Sequence, residues 1–170
     1  MVVIVMGVVG AGKTTVGVLL ARRLGWKFAD ADDFHSATSV EKIRRGVALS
    51  DEDRAPWLDA LRTAIEGWND AGDNAVLACS ALKGSYRNRL SVGAVHFVYL
   101  KGTPELIVKR LNARHGHFAS ASILETQFAD LEEPDDAITV EIDRPPDAIV
   151  SMILEKLGRQ SSASEGVRTL

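Results

Sequence analysis

Gly7-Val8-Val9-Gly10-Ala11-Gly12-Lys13-Thr14 decides the fold. The stretch matches G-x-x-x-x-G-K-[ST] in full, and its setting matters as much as its letters. Val2-Val3-Ile4-Val5-Met6, just ahead, is the continuous apolar run of a strand buried on both faces. Behind it, Lys13–Leu24 carries Val16, Leu19, Leu20 and Leu24 on one helical face, and Gly25 supplies a stop. Strand, glycine loop and helix in that order are the context a phosphate-binding loop requires. Glycines let backbone N–H groups turn inward around phosphate oxygens, and the helix N-terminus adds positive partial charge. Gly7, Val8, Val9, Gly10, Ala11, Gly12, Lys13, Thr14 and Thr15 are the expected contacts to ATP. Lys13 is expected to reach the β- and γ-phosphates and the Thr14 hydroxyl to ligate Mg²⁺.

Working outward, short apolar runs alternate with helical patterns. Residues 26–30, 75–79, 95–100 and 138–142 read as strands. Residues 39–45, 56–70, 84–90, 104–114, 120–130 and 145–157 read as helices. In the 56–70 helix Pro56 suits the first turn, and Leu58, Leu61, Ile65 and Trp68 step by three and four. This alternation predicts a parallel α/β sheet with helices on both faces. Residues 1–157 read as one domain, and the polar segment 158–170, GRQSSASEGVRTL, as a disordered tail.

A chain of 170 residues with 46% hydrophobic composition can bury one substantial core. Its net charge of −3, with both signs interspersed, argues against nucleic acid or an anionic membrane as the main partner. The single cysteine, Cys79, excludes an intrachain disulfide and suits a reducing cytoplasm. No stretch approaches the roughly 18 apolar residues of a membrane helix. The apolar 2–9 run lacks the basic flank of a signal peptide.

The loop alone leaves several classes open. GTPases read guanine with Asn/Thr-Lys-x-Asp, which does not occur here. Motor-type ATPases end a strand in a carboxylate, whereas 75–79 runs into Cys79-Ser80. The acids stand elsewhere, in Asp30-Ala31-Asp32-Asp33-Phe34-His35 after the second strand. In an open α/β sheet that is the carboxyl edge, where ligands bind. Of Asp30 and Asp32, one suits a Mg²⁺-bound water and the other the proton of an attacking hydroxyl. That pairing points to a small-molecule kinase.

Longer motifs follow in order. They are Leu49-Ser50-Asp51-Glu52-Asp53-Arg54-Ala55-Pro56-Trp57-Leu58, Cys79-Ser80-Ala81-Leu82-Lys83-Gly84-Ser85-Tyr86-Arg87, and Tyr99-Leu100-Lys101-Gly102. Arg110-Leu111-Asn112-Ala113-Arg114-His115-Gly116-His117-Phe118, Gln127-Phe128 and Leu131-Glu132-Glu133-Pro134 complete the set. With these motifs the chain resembles the gluconate kinase family of small P-loop kinases, from Gly7 to about Asp143. It departs at Ser36, Ser39 and Ala48, where the family usually has Pro, Asn and Pro.

The resemblance implies a P-loop NTPase core like that of adenylate and shikimate kinases. Such a core is three-layered, α/β/α, with a five-stranded parallel sheet and a lid, here at about 112–122. It implies transfer from ATP to D-gluconate, giving ADP and 6-phosphogluconate, and commonly a homodimer. Together with their order after the strand, it makes Asp32 the acceptor-side base and gives Asp30 to Mg²⁺. Asp32, His35, Lys42, Arg54, Lys83, Arg87 and Gln127 are expected around the acceptor. An open-chain polyol with one carboxylate calls for a cation, preferably an Arg fork, and several hydroxyl partners. Arg110 and Arg114 are four apart, hence on one helical face. Arg110 is expected against the nucleotide and Arg114 as a clamp on the transferring phosphoryl. Trp57 reads as a packing residue, Cys79 as a small buried one and His96 as structural. The rival readings are a kinase for another small hydroxy acid, shikimate above all, and a nucleotide-binding switch without turnover.

Overall fold

The computed structural model describes residues 1–113 and 121–165. Five parallel strands form one sheet: β1 (Val2–Met6), β2 (Lys27–Asp30), β3 (Ala75–Ala78), β4 (Val95–Lys101) and β5 (Ile138–Glu141). Their order across the sheet is β2-β3-β1-β4-β5. β1 is therefore central, with Val2 opposite both Ala75 and Val95, and it is buried along its whole length.

Alternation along the strands sorts the core into two layers. Val3 and Val5 of β1, Val98 and Leu100 of β4 and Val140 of β5 face one side. They meet α1 (Lys13–Leu24), α5 (Pro104–Ala113) and α7 (Pro146–Glu165) through Leu20, Ile107 and Ile153. Val2, Ile4 and Met6 face the other side. They pack on α3 (Asp51–Asp70) and α4 (Gly84–Leu90) through Leu58, Leu61, Ile65 and Leu90. The expected three-layer α/β/α arrangement with a five-stranded parallel sheet is what forms. No helix among the described residues is long and apolar enough to cross a membrane.

β1, α1 and α4 have the predicted limits, but three helices differ. α2 (Ala37–Arg44) starts two residues early, because the Ser36 hydroxyl accepts from the Ser39 N–H at 3.1 Å and caps it. α3 starts at Asp51, so Pro56 lies inside the helix and not in its first turn. The cause is a capping box: the Ser50 hydroxyl accepts from the Asp53 N–H at 3.2 Å, and the Asp53 carboxylate from the Ser50 N–H at 3.1 Å. α7 runs on through Gly158 to Glu165, so the expected tail begins as helix. There Arg159 pairs with Glu155 one turn back at 2.5 Å. α6 (Ala121–Asp130) returns the chain from α5 to the last strand.

Candidate active site

Because every strand is parallel, every βα connection that matters opens at one edge. The phosphate loop leaves β1 there, and Gly12, at φ 95°, leads into α1. Gly7 shows why the loop needs glycine. At φ +146° a Cβ would lie 2.9 Å from the Leu100 carbonyl oxygen, closer than side chains tolerate.

Neighbouring elements brace the loop on three sides. The Gly7 N–H donates to the Ser80 carbonyl at 3.3 Å, just beyond β3. Arg110 of α5 donates to the Ala11 carbonyl at 3.3 Å and to the Ile142 carbonyl. The Val9 N–H donates to Gln127 Oε1 of α6 at 2.6 Å. Gln127, expected near the acceptor, thus stands against the phosphate loop. Lys13 Nζ lies under the same stretch, donating to the Val8 carbonyl at 3.1 Å.

Beside the loop, Thr14 Oγ1 donates to Asp30 Oδ2 at 2.9 Å. The other oxygen of Asp30 accepts from the Asp32 N–H at 3.1 Å and caps a 3₁₀ turn, Ala31–Phe34. A hydroxyl and a carboxylate oxygen that already touch are a donor set that fits Mg²⁺. That ion takes hard oxygens, only one or two of them carboxylates, and keeps several waters. Burial, reinforced by the Asp30 charge, raises the Asp32 carboxyl above its usual range, while His35 and Lys13 oppose the shift. That displacement moves a carboxylate toward the basicity of a general base near neutral pH.

His35 closes the 3₁₀ turn and lies flat on Trp57, with ring centroids 4.8 Å apart and planes at 9°. Burial lowers the His35 pKa against the pull of Asp32, and its Nδ1 is buried with no hydrogen-bond partner. Trp57 is almost wholly buried, and its Nε1–H donates to the Ala31 carbonyl at 2.7 Å. It packs, as expected, and also anchors the turn that carries Asp30 and Asp32.

The cationic residues expected at the acceptor gather on one side but are engaged with protein groups. Lys83 binds both oxygens of Asp51 at 2.9 and 3.0 Å. Arg54 donates to the Tyr86 hydroxyl at 3.2 Å and reaches Asp51 at 3.5 Å. Lys42 is held by the capping carboxylate of Asp53 at 2.7 and 2.9 Å. Arg87 donates to the carbonyls of Ala81 and Leu82 at 3.1 and 2.8 Å. Those contacts steady a turn in which Ala81 takes φ 43°, a strained value for alanine. Cys79, beneath this turn, is buried, and burial pushes its thiol up to about 12. Arg114, and residues 114–120 of the expected lid, lie outside the described residues.

Comparison with known proteins sets this geometry in a family. Residues 9–157 match the Shikimate kinase family. A gluconokinase of Gluconobacter oxydans is 42% identical over 167 residues, 95% of this chain and 92% of that protein. A probable gluconokinase of Mus musculus is 41% identical in an alignment of 178 positions that covers 92% of this chain and 97% of that protein. The crystal structure of a gluconokinase from Sinorhizobium meliloti superposes with a TM-score of 0.89 at 34% identity, covering 98% of this chain and 96% of that one. The chain belongs to the gluconokinase family. Within that gluconokinase frame, sequence reading missed Asp51 and Tyr86, to which Arg54 and Lys83 are tied. The S-x-x-D signature at Ser50–Asp53 held the signal. It starts α3 at Asp51 and puts Asp51 and Arg54 on one helical face.

Proposed function

We propose that this kinase transfers the γ-phosphoryl of ATP to D-gluconate, forming ADP and 6-phospho-D-gluconate. The observation that carries the reading is a juxtaposition at the carboxyl edge of the sheet. On one side of Asp32 stands the phosphate loop with Lys13. Near His35, three residues on, stands Arg54, gathered with Lys83 around the Asp51 carboxylate. The relatives' names narrow the acid to gluconate.

Backbone N–H groups of the loop and the α1 N-terminus receive the phosphates. Arg110 of α5, which braces the loop at the Ala11 carbonyl, would meet the nucleotide there. Lys13 follows the charge that develops between the β- and γ-phosphates. Asp32 accepts the proton of the attacking hydroxyl as its oxygen bonds to the γ-phosphorus and the bond to the β–γ bridging oxygen breaks. His35, fixed on Trp57, meets the polyol chain, and the cationic side of the site orients its carboxylate. Thr14 and Asp30 would hold Mg²⁺, which supplies neutralisation of phosphate charge. The reading includes a cytoplasmic location, from the single cysteine, and a homodimer, from the family.

Purified protein with ATP and Mg²⁺ is assayed against D-gluconate, shikimate and nucleoside monophosphates. Buried polar groups left unpaired by a wrong acceptor discriminate by about 10⁴-fold or more. Gluconate should therefore lead in kcat/KM by that order. A kcat/KM for shikimate equal to or above that for gluconate overturns the acceptor assignment and leaves the kinase reading standing.

A further inference from the structure

We propose that Asp51 is an internal stand-in for the acceptor's carboxylate. It fills the site's carboxylate socket in the absence of substrate and is displaced when the sugar acid binds. The inference rests on the gluconate reading and deepens it.

The socket is built from two helices. Arg54 projects from α3, Lys83 stands at the start of α4, and Tyr86 lies on its first turn. Both cations lie over the Tyr86 ring, Arg54 at 6.0 Å and Lys83 at 5.5 Å from its centroid. All three polar tips converge on one carboxylate. Lys83 binds both Asp51 oxygens, Tyr86 donates its hydroxyl to one of them, and Arg54 approaches the same oxygen. A free carboxylate on a hydroxylated chain presents the same group to the same donors.

Exposure shows which partner is lodged and which lies on top. The side chains of Arg54 and Lys83 are 25% and 24% exposed, whereas Asp51 is 60% exposed. The donors form the floor and Asp51 covers them from solvent. Removing the cover requires only side-chain rotation, because Asp51 is the first residue of α3. Swung outward, it still sits at a helix N-terminus, where an anion is favoured. Asp53, two residues on, makes the contrast. It holds Lys42 while its own oxygens satisfy the Ser50 N–H in the capping box, so rotating it would uncap α3.

Competition of this kind makes the site selective. An acceptor with a carboxylate replaces what it removes. A neutral polyol of the same length leaves Asp51 in the socket and gains nothing there. An exposed ion pair is a weak competitor, so its removal should change affinity by only a factor of about five.

The test compares wild type with Asp51→Asn, measuring kcat and KM for gluconate and for ATP. Asp51→Asn should lower KM for gluconate about fivefold, with a smaller change in kcat and in KM for ATP. A KM for gluconate that is unchanged or raised overturns the proposal, since Asp51 would then be positioning the cations. Wild-type protein supplies a second readout that needs no variant. The ¹³C resonance of the Asp51 carboxyl should move as gluconate is added without nucleotide. A stationary resonance at saturating gluconate overturns the proposal equally. Failure of wild type to phosphorylate gluconate at all would instead remove the acceptor reading beneath it.

Discussion

Replacing Trp57 with Phe isolates the contact that holds the Asp30–Asp32 turn against α3. The indole Nε1–H is the donor to the Ala31 carbonyl at 2.7 Å, and both residues are buried. Phe keeps a ring under His35 but leaves that carbonyl without its partner, which costs about 1–3 kcal/mol in a buried setting. Trimming the fused ring also leaves a partial void. Full truncation of a buried Trp costs about 3–5 kcal/mol, so the part lost here contributes about 1–2. The sum, about 2–5 kcal/mol, should lower Tm by about 4–20 °C for a chain of this length. Activity should fall further than stability alone predicts at temperatures where the protein stays folded. Ala31 lies between the two acids, and a displacement of about 1 Å at a reacting group costs up to about 10²-fold. Urea titration gives the first quantity and steady-state kcat at 25 °C the second. A loss under about 1 kcal/mol with unchanged kcat would refute the reasoning, because the turn would then be held by something other than Trp57.

Lys13→Ala should lose on the order of 10³-fold in kcat with the far-UV spectrum unchanged, and near-normal turnover would remove the loop from phosphoryl transfer. Asp32→Asn should lose about 10²–10⁴-fold in kcat while still binding ATP by calorimetry, and a change within about threefold would send the base's role elsewhere. Cys79 provides a pH test, since burial raises its thiol from 9.0 to about 12. The native protein keeps that proton up to about 12, whereas the unfolded chain releases it near 9.0, so Cys79's contribution to stability is lost as pH rises between these values. Iodoacetamide at pH 9 should therefore label it slowly in the native protein and rapidly in urea, as followed by mass spectrometry, and fast native labelling would contradict its burial.

What the sequence discloses and what it withholds follow one physical line. β1, the phosphate loop and α1 are legible because neighbours in sequence set them: an apolar run, a glycine loop and a 3.6-residue period. The Thr14–Asp30 contact is nearly as legible, because parallel strands deliver both residues to the same edge. The start of α3 is misread at Pro56 because proline's preference for a first turn is weaker than two capping hydrogen bonds at Ser50 and Asp53. The contact Gln127 makes with Val9 is illegible for a different reason. It joins α6 to the loop after β1, and no local spacing encodes how those elements pack. The same holds for Asp51 and Lys83, which meet only because α3 and α4 lie side by side. Charge type showed which residues were cationic, but not that the protein supplies an anion of its own.

The central position of β1 has a consequence for biosynthesis. Both of its neighbours come later in the chain: Val2 waits for Ala75 on one side and Val95 on the other. While the polypeptide is being made, the first strand therefore emerges with nothing to pair with, as an uncharged β-branched stretch of the type that chaperones and aggregation compete for. The nucleotide loop takes its shape from the end of that strand, so it stays unformed until β4 has left the ribosome. A strand translated ahead of both its partners becomes functional late, and its safety during synthesis depends on how quickly the following hundred residues or so arrive.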